Sequence, residues 1–171
     1  MFPEARTFLD MGSAKGFLVR ALREKGAQAW GFDHSPWALA QAETAAKPYL
    51  SLADVANAAY DRPFDVLVAM SLLESLTEEQ IRFFLPRARA WTTQAIFATI
   101  PTLSGDSGAP QAWNDRDLSH VTLRDRDWWR QRFLEAGWRQ DPLHRIVERA
   151  CQRHALPARM GWSVYVFSPV Q

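Results

Sequence analysis

The chain has 171 residues, 47% of them hydrophobic, with 20 Lys plus Arg against 19 Asp plus Glu. That length and apolar content suit one domain, 1–171, with its own core, and exclude a disordered chain. A net charge of +1 gives no electrostatic case for nucleic acid as the main partner, and the lone Cys151 excludes an internal disulfide or a cysteine-built zinc cluster. No apolar run reaches the length of a membrane span and no charged-then-apolar leader opens the chain, so the expectation is a soluble cytoplasmic protein without a membrane partner.

The stretch Thr7 to Asp33 reads as strand, glycine turn, helix, strand, acid. Phe8 and Leu9 lead into Asp10, and Gly12 and Gly16 flank a tight turn. Phe17, Leu18, Ala21 and Leu22 then recur at helical spacing, and Ala29 to Phe32 runs up to Asp33. Such a βαβ unit binds a ligand at its top. Gly12 removes a Cβ where the chain turns and a ligand approaches, Gly16 lets the helix start close against the sheet, and the first-turn N–H groups face the crevice. Asp33 stands at about the separation from the glycines at which an acid meets a ribose diol. Asp10 can hold the glycine turn or a ligand ammonium group. The G-x-G-x-x-G dinucleotide fingerprint is not met, because Gly12 and Gly16 are the only glycines of the turn.

Ser35 and Pro36 start a second helix as cap and first residue, carried on through Ala42 and Ala45 to a stop at Pro48. Tyr49 to Ala53 reads as a third strand, ending on Asp54, which is either a helix cap or a ligand-facing acid. Val55 to Tyr60 reads as a short helical turn. Phe64 to Ala69 is the continuous apolar run of a central strand, with a loop from Met70 to Leu76 beyond it. Thr77 to Gln80 forms a capping box, and Pro86 is expected to kink or end the helix that follows. Gln94 to Ile100 is a fifth strand. The segment Thr102 to Leu118 is rich in Gly, Ser, Asp and Pro, and a loop this long beyond a strand's carboxyl end is expected to border an acceptor site. Asp125 to Ala136 reads as a helix closed by Gly137. Trp138 to Val147 and Trp162 to Phe167 read as two strands forming an antiparallel hairpin at the sheet edge.

Four runs in this order carry a resemblance: L-D-M-G-S-A-K-G-F-L, then G-F-D-H-S, then L-A-D-V, then F-D-V-L-V-A-M-S-L-L-E-S-L. Together they resemble the motif series of class I S-adenosylmethionine-dependent methyltransferases, closest to the small-molecule group. The resemblance covers most of the chain. It implies a Rossmann-like three-layer sandwich whose mostly parallel seven-stranded sheet ends in an antiparallel hairpin, here without the helices that relatives place ahead of the first strand. Their lack would mean a trimmed domain, an open site, or a site covered by a second copy of the chain or by a fused or partner domain.

The resemblance also implies S-adenosyl-L-methionine as cofactor. Asp10, Gly12 and Gly16 would line it, Asp33 would take its ribose hydroxyls and Asp54 its adenine amino group, with His34, Val55 and Ser71 beside them. The reaction implied is methyl transfer to a small molecule or glycan, at oxygen. A hydroxyl acceptor needs a base, and His120, in D-L-S-H-V, is the catalytic candidate, since similar enzymes carry a histidine in such a run. Glu74 and Ser75 stand where relatives have E-H, which weakens any acid–base scheme taken from them. Ser71 and Glu74 can line the pocket, and a solvated loop acid is the plainer reading of Glu74. No histidine pair has metal-ligand spacing, so no metal is expected. Trp113, Trp128 and Trp129 fall near the expected acceptor mouth, where at least one of the adjacent pair is core. A methyltransferase-like binding module or partner subunit without turnover is the alternative.

Overall fold

In the computed structural model, residues 2–103, 119–153 and 162–170 are described. Among them seven strands form one sheet: β1 (Thr7–Met11), β2 (Gln28–Asp33), β3 (Leu50–Leu52), β4 (Phe64–Met70), β5 (Thr92–Pro101), β6 (Trp138–Gln140) and β7 (Trp162–Pro169), in the order β3-β2-β1-β4-β5-β7-β6. The first five run parallel, while β7 is antiparallel to both β5 and β6. The order reverses between β1 and β4, which leaves a crevice beyond their carboxyl ends.

Alternation along the strands builds two apolar faces. Leu9, Met11, Leu67, Ala69, Ile96 and Ala98 face a core completed by α3 (Glu78–Ala90) and α4 (Arg126–Glu135), whose Ile81, Phe84, Trp129 and Phe133 are fully buried. Val66, Val68, Ala95, Val164 and Val166 face the other way. They meet Leu18 of α1 (Phe17–Glu24) and Val147 of α5 (Leu143–Arg153). Stacked rings tie the antiparallel end to the core, Phe133 lying on Phe167 at 4.3 Å between centroids.

Three expectations are corrected. The segment Trp138 to Val147 is not one strand. The strand stops at Gln140 and the chain enters α5, because Asp141 accepts the Leu143 N–H at 2.8 Å and the His144 N–H at 2.9 Å, opening a helix. The last two strands pair antiparallel at the edge, as expected, but a helix joins them. The second helix, α2 (Pro36–Ala40), ends well before Pro48, which lies in a 3-10 turn. The chain leaves the helical path so that the Glu43 N–H reaches the Lys15 carbonyl at 3.1 Å, and Glu43 itself pairs with Arg20 at 3.0 Å. Finally, Pro86, expected to kink or end its helix, does not end it: α3 continues to Ala90. Pro86 has no N–H to donate to the Arg82 carbonyl, and Arg82 lies on the exposed side of the helix.

Candidate functional site

In the glycine turn every second residue is left-handed: Gly12 at φ 75°, Ala14 at 46° and Gly16 at 76°. The N–H groups of Gly12 and Ser13 both donate to the Phe32 carbonyl at 2.9 Å, so the turn folds back on the end of β2. Gly31 makes room for this. A Cβ there would stand 2.6 Å from the Ser13 Cβ, and a Cβ on Gly16 would stand 2.8 Å from both the Ala46 Cβ and the Leu50 Cδ1. α1 then starts at Phe17 with no side-chain cap on its first N–H groups.

Asp33 is the knot of this region. Its Oδ2 accepts the Ala14 N–H and its Oδ1 the Ser35 N–H, both at 2.8 Å, so one carboxylate joins the glycine turn to the start of α2. Ser35 in turn caps α2 by accepting the Ala38 N–H. Asp33 thereby holds the turn. Asp10 is buried at 5% exposure. Burial, and secondarily the neighbouring charge of Asp33, push its carboxyl up to about 7.

Beside Gly12 opens a hollow of about 360 Å³. Its wall takes Phe32, Asp33 and His34 from the end of β2, and Ala53, Asp54 and Val55 from beyond β3. Leu72, Ser75 and Leu76 come from beyond β4, with Gln80 of α3 and Ser119 completing it. Thus Gly12, Asp33, His34, Asp54 and Val55 meet at one concavity. Asp10, Gly16 and Ser71 are not in its wall. Asp10 is buried near the end of β1, and Gly16 sits close against Ala46 and Leu50. Ser71 is exposed at φ 50°, its N–H donating to the Thr99 carbonyl at 3.0 Å.

Asp54 is a cap as well as a wall residue. Its Oδ1 accepts the N–H groups of Ala56 and Asn57 at 2.8 and 2.9 Å, while its own N–H donates to the Asn57 side chain. Val55 is buried, and His34 stands open with its Nδ1 3.7 Å from Asp33.

His120 is half-buried and adjoins the hollow through Ser119. Sequence reasoning missed what puts it there. The Thr122 N–H donates to the Glu74 carbonyl at 2.8 Å, and the Thr122 hydroxyl donates to the Leu76 carbonyl at 2.6 Å, pinning the segment to the turn after β4. Glu74 is 1% exposed and so is not a solvated loop acid. Trp129 is core and Trp128 packs on it edge to face, whereas Trp113, His154 and 104–118 lie outside the described residues. His144, buried, accepts the Val166 N–H on Nδ1 at 3.3 Å. Burial lowers its pKa, as suits a neutral structural imidazole. Three arginines at α4 or just before it are ion-paired: Arg124 with Glu78, Arg126 with Glu148 and Arg132 with Glu135.

No group of three metal-ligating side chains occurs among the described residues, and no helix among them is long and apolar enough to cross a membrane. The donor set suits a nucleoside carrying an amino-acid tail. Acids lie at two wall positions, and a left-handed glycine faces the hollow where a Cβ would crowd Leu72 at 3.2 Å. The buried hydroxyl of Ser13, in the turn itself, has no hydrogen-bond partner among the described residues.

Residues 8–94 match the family model described as a methyltransferase domain. No curated protein sequence matches the chain. Solved structures similar to it include the S-adenosylmethionine-dependent methyltransferase SibL in its apo form, at TM-score 0.73 and 17% identity over 99% of this chain and 52% of that one. A Haloferax volcanii protein described as a methyltransferase, solved in complex with the Trm112 methyltransferase activator, aligns at TM-score 0.70 and 15% identity over 98% of this chain and 83% of that one. The O-methyltransferase of a trans-AT PKS multienzyme from Brevibacillus brevis, in complex with S-adenosyl-L-homocysteine, aligns at TM-score 0.67 and 10% identity over 99% and 68%. At these identities the likeness is one of fold.

Proposed function

The chain belongs to the methyltransferase-domain family, within the class I S-adenosylmethionine-dependent methyltransferases, and from that membership we propose that it transfers a methyl group from S-adenosyl-L-methionine to a hydroxyl of a small molecule or glycan. The observation that carries this reading is the convergence of Gly12, Asp33 and Asp54 on one hollow at the point where the strand order reverses. When bound, the cofactor supplies an activated methyl on a sulfonium.

The chain's part is to bind, orient and deprotonate. Asp33 keeps a lone pair on each oxygen for the ribose hydroxyls while its backbone bonds hold it still. Asp54 would offer its second oxygen to the purine amino group, and Val55 and His34 would line the same end of the hollow. Asp10, Gly16 and Ser71 lie at the glycine turn and the strand ends and would shape the part of the site that takes the amino-acid tail. His120, carried beside the hollow by the Thr122 bonds, takes the acceptor's proton. The chain is read as cytoplasmic and as one domain.

The test is incubation with methyl-tritiated cofactor and a panel of hydroxylated small molecules and glycans. Label transfer that falls in a His120→Ala variant with unchanged cofactor affinity supports the reading. Cofactor binding without transfer to any acceptor favours the second reading, a partner-dependent or inactive module. That reading draws on the Haloferax neighbour's complex with an activator and on the exposed Leu52 at the open edge of β3.

A further inference from the structure

Gln80 is the third residue of α3 and stands in the wall of the hollow. In the capping box its Oε1 accepts the Thr77 N–H at 2.8 Å while the Thr77 hydroxyl accepts the Gln80 N–H at 3.2 Å. A side-chain amide carries its oxygen and its NH2 on the same carbon. Turning the oxygen to the cap therefore fixes the direction of the NH2 and settles which end is which. Among the described residues that NH2 has no acceptor.

Asp54 shows the converse pattern in the same wall. Its Oδ1 is held by two backbone N–H groups, and its Oδ2 receives no hydrogen bond among the described residues. One side chain locks the two elements together. Arg87, two turns after Gln80 on α3, donates to the carbonyls of Val55, Ala56 and Ala58 at 3.2, 2.7 and 2.9 Å. The wall of the hollow thus carries one donor and one acceptor, on elements that Arg87 ties together.

We propose that Gln80 reads the nucleobase of the cofactor: with Asp54 it selects adenine, whose edge sets an amino donor beside a ring-nitrogen acceptor, over hypoxanthine, which reverses both. This rests on the cofactor reading given above and adds to it a residue that the sequence marks only as a helix cap.

Gln80→Glu separates the two roles. A glutamate keeps the oxygen that accepts the Thr77 N–H, and a carboxylate suits a helix N-terminus, so the fold and its melting temperature are retained. Only the donor is lost. Calorimetric titration of the full chain with S-adenosyl-L-homocysteine and with its inosyl counterpart reads the effect. The wild type is expected to prefer the adenosyl ligand by about tenfold or more. In Gln80→Glu, adenosyl affinity should fall about fivefold and the preference should narrow or invert, as the carboxylate accepts the hypoxanthine ring N–H. A wild type that binds the adenosyl ligand alongside a variant with the same preference would overturn the proposal, as would an equal loss for both ligands. A folded wild type that binds neither would overturn the cofactor reading itself.

Discussion

Around β1 and β2 the site is built from main-chain bonds converging on one carboxylate. Three left-handed residues, two N–H groups on the Phe32 carbonyl and the Asp33 carboxylate hold that turn. Beyond β5 the chain reaches the same hollow by other means: one threonine pins residues 119–122 to the turn after β4, and packed rings set α4. The first region is preorganised backbone, costly to alter. The second rests on side chains that can be exchanged without unmaking the sheet, which is where a fold can vary the molecule it acts on.

Substitutions should separate the two regions. The largest effect is expected from Gly16→Ala, whose Cβ meets Ala46 and Leu50 and whose φ of 76° disfavours a side chain. It should cost about 2–4 kcal/mol in denaturant unfolding. A loss below about 1 kcal/mol would mean that the turn is more pliant than described. His120→Ala should leave stability within about 0.5 kcal/mol and slow turnover about 100-fold, with cofactor affinity unchanged. Equal losses in binding and turnover would move His120 to the cofactor side.

Asp33→Ala should weaken cofactor binding more than tenfold and also cost about 1.5–3 kcal/mol of stability, because it orphans two N–H groups. Asp10 gives a pH signature. Its carboxyl is raised to about 7 in the fold, above its unfolded value, so the folded state binds the extra proton. Stability should therefore fall as pH rises from about 4 to about 7, and Asp10→Asn should flatten that slope in melts across the range. The smallest effect is expected from Ala14→Gly, which relieves a φ of 46° and should stabilise by up to about 1 kcal/mol.

The same contrast explains what could be read from the residues alone. The glycine turn, the Ser35 and Thr77 caps and the continuous run of β4 are local signals, and each lies where it was read. Asp33's hold on Ala14 was not legible, because it joins residues 19 apart across two strands. α5 was open to reading and was missed. Leu143, Val147 and Cys151 recur at helical spacing behind Asp141-Pro142, but Trp138 begins a true strand, and the strand reading was carried past its end at Gln140. Thr122's role depends on a turn 46 residues earlier, which no local pattern announces.

The central claim is that one hollow beside Gly12 takes the nucleoside of S-adenosylmethionine between Asp33 and Asp54. Titration calorimetry of the full chain with S-adenosyl-L-homocysteine tests it most directly. The account predicts one ligand bound per chain, with affinity lowered at least tenfold in Asp33→Ala and also lowered in Asp54→Ala. A folded chain that takes up no ligand, or one whose affinity ignores both substitutions, would contradict it.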